Sequence, residues 1–462
     1  MSLNNSRVTL SKRKSEGRDW TKGSIFNNLL SLSWPMVAGN SLNMLGPTID
    51  MIWVGRLGSS SIAGVGVSGM VVMLANALMM GLFTGLRAMV SHLVGAGDTY
   101  KANHVAQQAL IISIVISIIM AGIGILFAEP ILILLGVSPD VVSEGTPYLR
   151  INFIGMVTMS FNRITESIMQ ASGDSVRPMW VAVFYRLFHI ALCPFLVFGW
   201  WLFPHLGVSG AAITSILSQG LGAAIGLWLL YSGRTRLRLT FKHLRIDFNV
   251  IWRLLKIGLP ASLTAMERNL GNLILMFFMT PFGTLAVAGH TLGQRVEMFL
   301  LMPAMSMGQG AGILVGQNLG ARQPQRAEKT CWFAAGFLSG VMVVASVAVL
   351  IFAESIIHLF SSEPDLVKLS ATFLRIATAG YLIMGVTAVF QQSINTAGDT
   401  MIPMAIMLLN MWLVQVPLAY FLPRLTGLGV YGVRWAIVAG AVTATVVYVI
   451  YFISGRWKRK KI

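Results

Sequence analysis

Asp50 ends the run Met44-Leu45-Gly46-Pro47-Thr48-Ile49-Asp50, a carboxylate in an otherwise apolar stretch. A carboxylate withdrawn from water suits a group that loads and releases a proton, or exchanges it for Na⁺. The competing account is an acid at an interface paired with Arg56. A second cluster is formed by Glu267-Arg268 and by Arg295 with Glu297. Neighbours along a helix do not face each other, so the expected partnerships run between helices, Glu267 with Arg295 or Arg268 with Glu297, either as structural ion pairs or as groups that couple ions and bind substrate. Arg163 and Glu166, three apart, are expected to pair locally. Arg186 and His189 share a helical face, and an imidazole titrates near neutrality. A proton role for His189 therefore stands beside an ordinary structural one. Of the 27 methionines, Met51 and Met276 belong to sets that crowd two equivalent regions of the chain. Thioethers make an adaptable lining for apolar cations, although packing filler accounts for any single Met. The sequence contains no HExxH, Walker-type lysine loop, GxSxG or Cys/His cluster at metal-ligand spacing. No metal, no cofactor and no enzyme activity are expected. Gly95-Ala96-Gly97-Asp98 and Gly173-Asp174 read as tight turns and not phosphate cradles.

These residues need elements to hold them, and composition says which kind. Only 11% of the 462 residues are charged and 55% are hydrophobic, whereas an ordinary globular chain carries about 25% charged residues. A soluble multidomain enzyme is excluded. The net charge of +17 would suit nucleic acid if it were gathered on a polar face, but long apolar runs separate the basic residues, so no nucleic-acid partner is expected. Apolar runs fall near 27–54, 62–86, 105–127, 146–171, 177–200 and 207–231, and again near 249–281, 286–312, 331–353, 371–396, 401–422 and 430–454. They are too long for strands and lack a period of two, and an open sheet in lipid would strand its backbone groups. The chain is therefore read as an all-α integral membrane protein of twelve transmembrane helices. With the N-terminus in the cytoplasm, 23 of the 34 basic residues fall on cytoplasmic segments, six on outside connections (Arg56, Arg150, Lys368, Arg375, Arg424 and Arg434) and five inside spans (Arg87, Arg163, Arg186, Arg268 and Arg295). That asymmetry puts both termini inside. A multi-pass protein of the plasma (inner) membrane is expected, surrounded by lipid and monomeric.

The chain is also an internal duplication. Residues 225 apart match at Pro35 and Pro260, Gly64 and Gly289, Gly85 and Gly310, Glu129 and Glu354, Leu149-Arg150 and Leu374-Arg375, and Gly173-Asp174 and Gly398-Asp399. Each half holds six spans, so both insert the same way up, as two lobes related by a pseudo-two-fold axis along the membrane normal. The expected divisions are a tail over 1–24, an N-lobe over 25–232, a basic linker over 233–248, a C-lobe over 249–454 and a tail over 455–462. Transporters built this way hold substrate between their halves.

Pro35 fifteen residues before Asp50, the run Asp50-Met51-Ile52-Trp53-Val54-Gly55-Arg56-Leu57-Gly58, and the paired Val-Gly-Ala-Gly and Val-Gly-Gln-Asn-Leu-Gly-Ala segments resemble the multidrug and toxic compound extrusion (MATE) family over nearly the whole chain. The proline-to-aspartate spacing is similar to that of its DinF-like branch. The resemblance implies a secondary active antiporter that expels organic cations or other amphiphiles by alternating access, with H⁺ or Na⁺ as coupling ion and Asp50 as its site. It also implies departures. Span five of such members carries Asn-x-x-x-Asp-Pro, where this chain reads His189-Ile190-Ala191-Leu192-Cys193-Pro194. Both partners of the aspartate are replaced, and Thr214 in span six is left as a further contributor. Other branches carry a glutamate eight residues after the span-seven proline, whereas Glu267 is seven from Pro260 and Arg268 is the eighth. By this likeness the ion-coupling set is Asp50, His189, Thr214 and Glu267, and the substrate cleft is drawn from Arg186, Arg268, Arg295, Glu297, Met51 and Met276. A lipid-linked oligosaccharide or lipid flippase of the same architecture is the alternative, and it would be favoured by a continuous cationic groove from Arg87, Arg186, Arg268 and Arg295 facing the cleft. An integral membrane enzyme is the weaker one.

Overall fold

The computed structural model describes residues 18–57, 59–201, 203–240 and 245–460. Gly58 and, among the basic residues counted as cytoplasmic, Arg7, Lys12, Arg13, Lys14, Lys242 and Lys461 lie outside the described residues. Twelve long helices follow one another: α1 (Ile25–Val54), α2 (Ser59–Gly95), α3 (Thr99–Leu134), α4 (Pro139–Ala171), α5 (Val176–Phe198), α6 (Gly207–Tyr231), α7 (Phe248–Phe277), α8 (Thr284–Gly320), α9 (Pro324–His358), α10 (Pro364–Thr396), α11 (Met401–Leu425) and α12 (Val430–Ile453). No strand occurs among the described residues. By length and composition nine of these helices can cross a membrane. The other three, α1, α4 and α7, carry Asp50, the Arg163 and Glu166 pair, and Glu267-Arg268. This is a multi-pass, all-α membrane protein.

Helices overrun the apolar windows because polar residues close their ends. Asp98 accepts the Lys101 amide at 3.0 Å and caps α3. The Lys101 ammonium and amide hold its carboxyl below the usual carboxylate range. Asp247 does the same for α7, taking the amides of Asn249 and Val250 at 3.0 and 3.2 Å. The turn before α3 needs a left-handed residue, which Gly97 supplies at φ 78°. Its repeat mate, Arg322, adopts the same conformation at φ 58°, so the fold imposes this turn on both halves whatever the side chain.

The two halves pack alike. In the first, α4 lies against α2, α3 and α6, and α6 against α5; in the second, α10 lies against α8, α9 and α12, and α12 against α11. The matching Glu and Arg positions of the repeat are ion pairs, Arg150 to Glu129 at 3.5 Å and Arg375 to Glu354 at 3.0 Å. One difference is a π-helical stretch inside α11, Asn410–Gln415.

The chain forms two compact units, and their borders differ from the expected linker. One contains Trp34–Leu259; the other contains Gly23–Ser33 together with the chain from Pro260 onward. Both borders fall beside the repeated prolines, so each unit includes the opening turns of a helix whose remainder belongs to the other. Glycines make this packing feasible. Within the first unit a Cβ on Gly85 would stand 2.8 Å from the Leu254 carbonyl oxygen, and one on Gly258 would stand 3.0 Å from that of Gly81. Within the second, the space above Gly310, the mate of Gly85, is filled by the Ser33 side chain. A backbone oxygen cannot step aside. Gly85→Ala is accordingly expected to cost about 1–3 kcal/mol by overpacking, read as a lower thermal midpoint of the purified protein in detergent. Gly336→Ala, a helical site with nothing within 4 Å, should be neutral or stabilising by up to about 1 kcal/mol.

Candidate functional site

The ion-coupling candidate is built on a proline. Pro47 lies inside α1, which is helical from Ile25 to Val54 and not broken near the acid. A proline has no N–H for the carbonyl four residues back, so the Asn43 oxygen needs another donor. Arg186 Nη2 on α5 supplies it at 3.3 Å, and the Tyr185 hydroxyl donates to the Asn43 side-chain oxygen. Gly46 leaves room for the guanidinium, because a Cβ there would fall on Arg186 Nη1. Asn43, Gly46 and Asp50 thus share one face of α1, while Arg186, His189 and Cys193, three and four residues apart, share one face of α5.

Asp50, His189 and Cys193 are 4%, 0% and 0% exposed. Arg186 Nη1 lies 3.4 Å from His189 Nδ1. A guanidinium can only donate, so Nδ1 must accept and the neutral ring carries its proton on Nε2. Nε2 stands 3.1 Å from Asp50 Oδ1 and 3.2 Å from Ser215 Oγ. Ser215 donates to Asp50 Oδ2 at 3.2 Å, and the Cys193 thiol reaches Oδ1 at 3.7 Å. The ionised carboxylate is therefore met by three donors: an N–H, an O–H and an S–H. When Asp50 is protonated, one partner must change from donor to acceptor. The Ser215 hydroxyl does this by rotation.

This arrangement revises several expectations. Arg56 stacks on Trp53, 4.9 Å from its centroid, and His189 is the partner of Asp50. The Thr214 hydroxyl donates to the Gly210 carbonyl of its own helix at 2.7 Å, and the adjacent Ser215 reaches the carboxylate instead. No cluster with metal-ligand spacing was expected, yet Asp50, His189 and Cys193 offer one ligand atom each, all within 4.8 Å of one another. Cys193 read as a lost partner and Ser215 was not singled out. Their signals were the one-turn spacing of His189 and Cys193 and the Gly46-Pro47 pair, which marks a carbonyl waiting for a donor.

The second unit holds a related group with its order changed. Arg434 Nη1 lies 3.3 Å from His290 Nδ1, and Nη2 donates to Glu297 Oε1. Here the arginine links histidine to acid, whereas at Asp50 the histidine links arginine to acid. His290, Gly293 and Glu297 share one face of α8, and a Cβ on Gly293 would come within 2.9 Å of Arg434 Nη2. Arg434 was counted among the outside residues; it belongs to α12 and is 2% exposed. Neither expected interhelical pair forms. Glu297 is taken by Arg434, Arg295 is exposed, and Arg268 donates to Gln391 Oε1 and meets Met305 Sδ, each at 3.5 Å. Glu267 is buried with its Oε2 lacking a hydrogen bond among the described residues. Arg163 and Glu166 pair at 3.2 Å, as their spacing implied. Met51 and Met276 are half-buried.

Comparison with known proteins agrees with the duplication. The MatE family model matches twice, over residues 35–195 and 260–421, segments that begin at the two repeated prolines. "Probable multidrug resistance protein YoeA" of Bacillus subtilis is 25% identical over 452 residues, covering 96% of each chain. "Multidrug export protein MepA" of Staphylococcus haemolyticus is 25% identical over 442 residues, covering 94% of this chain and 95% of its own. In fold, the chain is similar to a MOP superfamily transporter from Pyrococcus furiosus, with TM-score 0.89, 23% identity, and coverage of 96% and 98%. With both halves matched and the repeat, the helices and the Asp50 group in place, the chain belongs to the MatE family, the multidrug and toxic compound extrusion transporters.

Proposed function

We propose that this protein is a secondary active efflux transporter that exchanges protons for organic cations or other amphiphilic small molecules by alternating access. The observation that carries the reading is the buried Asp50 carboxylate with a hydroxyl partner able to follow its protonation. The names of the relatives, multidrug resistance and export proteins, support the substrate class. Protons are favoured over Na⁺ because a hard cation needs several oxygen ligands, and of the side chains that hydrogen-bond Asp50 among the described residues Ser215 offers an oxygen while His189 and Cys193 offer a nitrogen and a sulfur. Glu267 and the Glu297 group are further candidates for coupling or cleft contacts, with Thr214, Arg268, Arg295, Met51 and Met276. The protein works as a monomer in the inner membrane with both termini cytoplasmic, takes no cofactor, and has no nucleic-acid partner.

A flippase stays the second reading, because of the intramembrane arginines only Arg163 has an acid as partner among the described residues, and Arg295 is exposed. Arg163 is paired with Glu166, Arg87 donates to Thr84, Arg186 serves His189 and Asn43, and Arg268 serves Gln391. The test is efflux of a cationic dye from proteoliposomes under a proton gradient alone and a Na⁺ gradient alone. Efflux is expected under the first; efflux only under the second overturns proton coupling, and efflux under neither overturns antiport.

A further inference from the structure

We propose that Asp50, His189 and Cys193 form a binding site for one borderline-to-soft divalent transition metal of the zinc type. The donors are an oxygen, an imidazole nitrogen and a sulfur from three nearly fully buried side chains. Zn²⁺ in such a set has bonds of about 2.0–2.3 Å, and a tetrahedron with those bonds has N to O and S to O edges of about 3.4 and 3.6 Å. In the protein the corresponding separations are 3.1 Å from His189 Nε2 to Asp50 Oδ1 and 3.7 Å from Cys193 Sγ to Asp50 Oδ1. Two edges of the triangle are therefore within a few tenths of an ångström of those of a metal site, and the third, between His189 and Cys193, is no longer than 4.8 Å. Ser215 Oγ or a water completes the fourth position.

Proton balance is straightforward. Binding releases the Cys193 thiol proton to solvent and moves the His189 proton from Nε2 to Nδ1. Arg186 then gives up its contact with Nδ1 and keeps the Asn43 carbonyl. The nearby guanidinium disfavours a cation held by charge alone. It selects for metals that gain strongly from a thiolate and imidazole, which excludes Na⁺, Mg²⁺ and Ca²⁺. A bound metal also occupies the carboxylate that carries the proton, so it blocks exchange; this consequence rests on the proposed function, whereas the binding itself does not.

The test is a Co²⁺ titration of the purified full chain in detergent, followed by the thiolate-to-cobalt charge-transfer band in the near ultraviolet. One Co²⁺ per chain is expected, displaced by Zn²⁺. Cys331 is the control thiol, since it is buried against Ser393, 3.3 Å away, outside the triad. Cys331→Ala should keep the band and Cys193→Ser should lose it. Asp50→Asn should keep the sulfur band while weakening binding by about tenfold or more, which holds the proposal open to disproof even if Cys193→Ser fails to fold. A wild-type protein with no band, a band surviving Cys193→Ser, or unchanged affinity in Asp50→Asn each overturns the site. None of these readouts depends on transport, so a failed dye-efflux experiment and a failed metal site are separable.

Discussion

Asp50→Asn should reduce substrate-driven proton release from proteoliposomes to the level of empty vesicles. The amide has the size and shape of the acid, and its oxygen still accepts from His189 Nε2 or Ser215 Oγ, so the α1, α5 and α6 contacts survive. What is lost is the exchangeable proton. Thermal unfolding in detergent should remain near that of the parent protein, within the roughly 1 kcal/mol of a single hydrogen bond. A variant with normal melting and undiminished proton release would remove Asp50 from the mechanism and direct attention to Glu267 or Glu297. Such a variant with a collapsed midpoint would instead give the carboxylate a structural role.

Arg434→Met should produce a large loss of stability with a diagnostic rescue. Arg434 is held between Glu297 and His290, 5.4 Å over the Phe373 ring. Removing one partner of a buried ion pair costs about 3–5 kcal/mol, because the other charge stays behind without compensation. Glu297 retains some contact with water, at 17% side-chain exposure, which places the expectation at the lower end, about 3 kcal/mol. Pairing the substitution with Glu297→Leu removes the stranded acid and should recover most of that loss. A double variant no more stable than the single one would contradict the account. The Arg375 and Glu354 pair, 42% and 55% exposed, is the contrast, since losing it should cost no more than about 1 kcal/mol.

Helices, duplication and capped turns were legible in the sequence because each depends on neighbouring residues or on a fixed offset. The Glu129, Arg150 and Glu354, Arg375 matches even announced ion pairs, although not which helices they join. The partners of the intramembrane charges were not legible. The expected interhelical pairing set Glu297 against Arg268, but the spacing of His290, Gly293 and Glu297 carries all three to one face of α8 that meets α12, and Arg295, two residues from Glu297, is exposed. Arg434 read as an outside charge because it follows the Gly427 to Gly429 turn, and its burial depends on α8 and Phe373, more than sixty residues away in the chain. The metal-sized triangle was invisible for the same reason. Its acid and its two other donors lie about 140 residues apart, so no spacing motif contains them.

Gly46 under Arg186 and Gly293 under Arg434 also carry a consequence for how such chains change over generations. At Gly46 the Arg186 guanidinium fills the volume a methyl group would need, and at Gly293 the Arg434 guanidinium stands 2.9 Å from it, so a side chain at either glycine pushes on the tip of its arginine. A side chain gained at Gly46 would displace the Arg186 guanidinium, and with it the donor that fixes the His189 tautomer. The expectation is that relatives lacking the arginine are the ones free to carry alanine or serine at the glycine position.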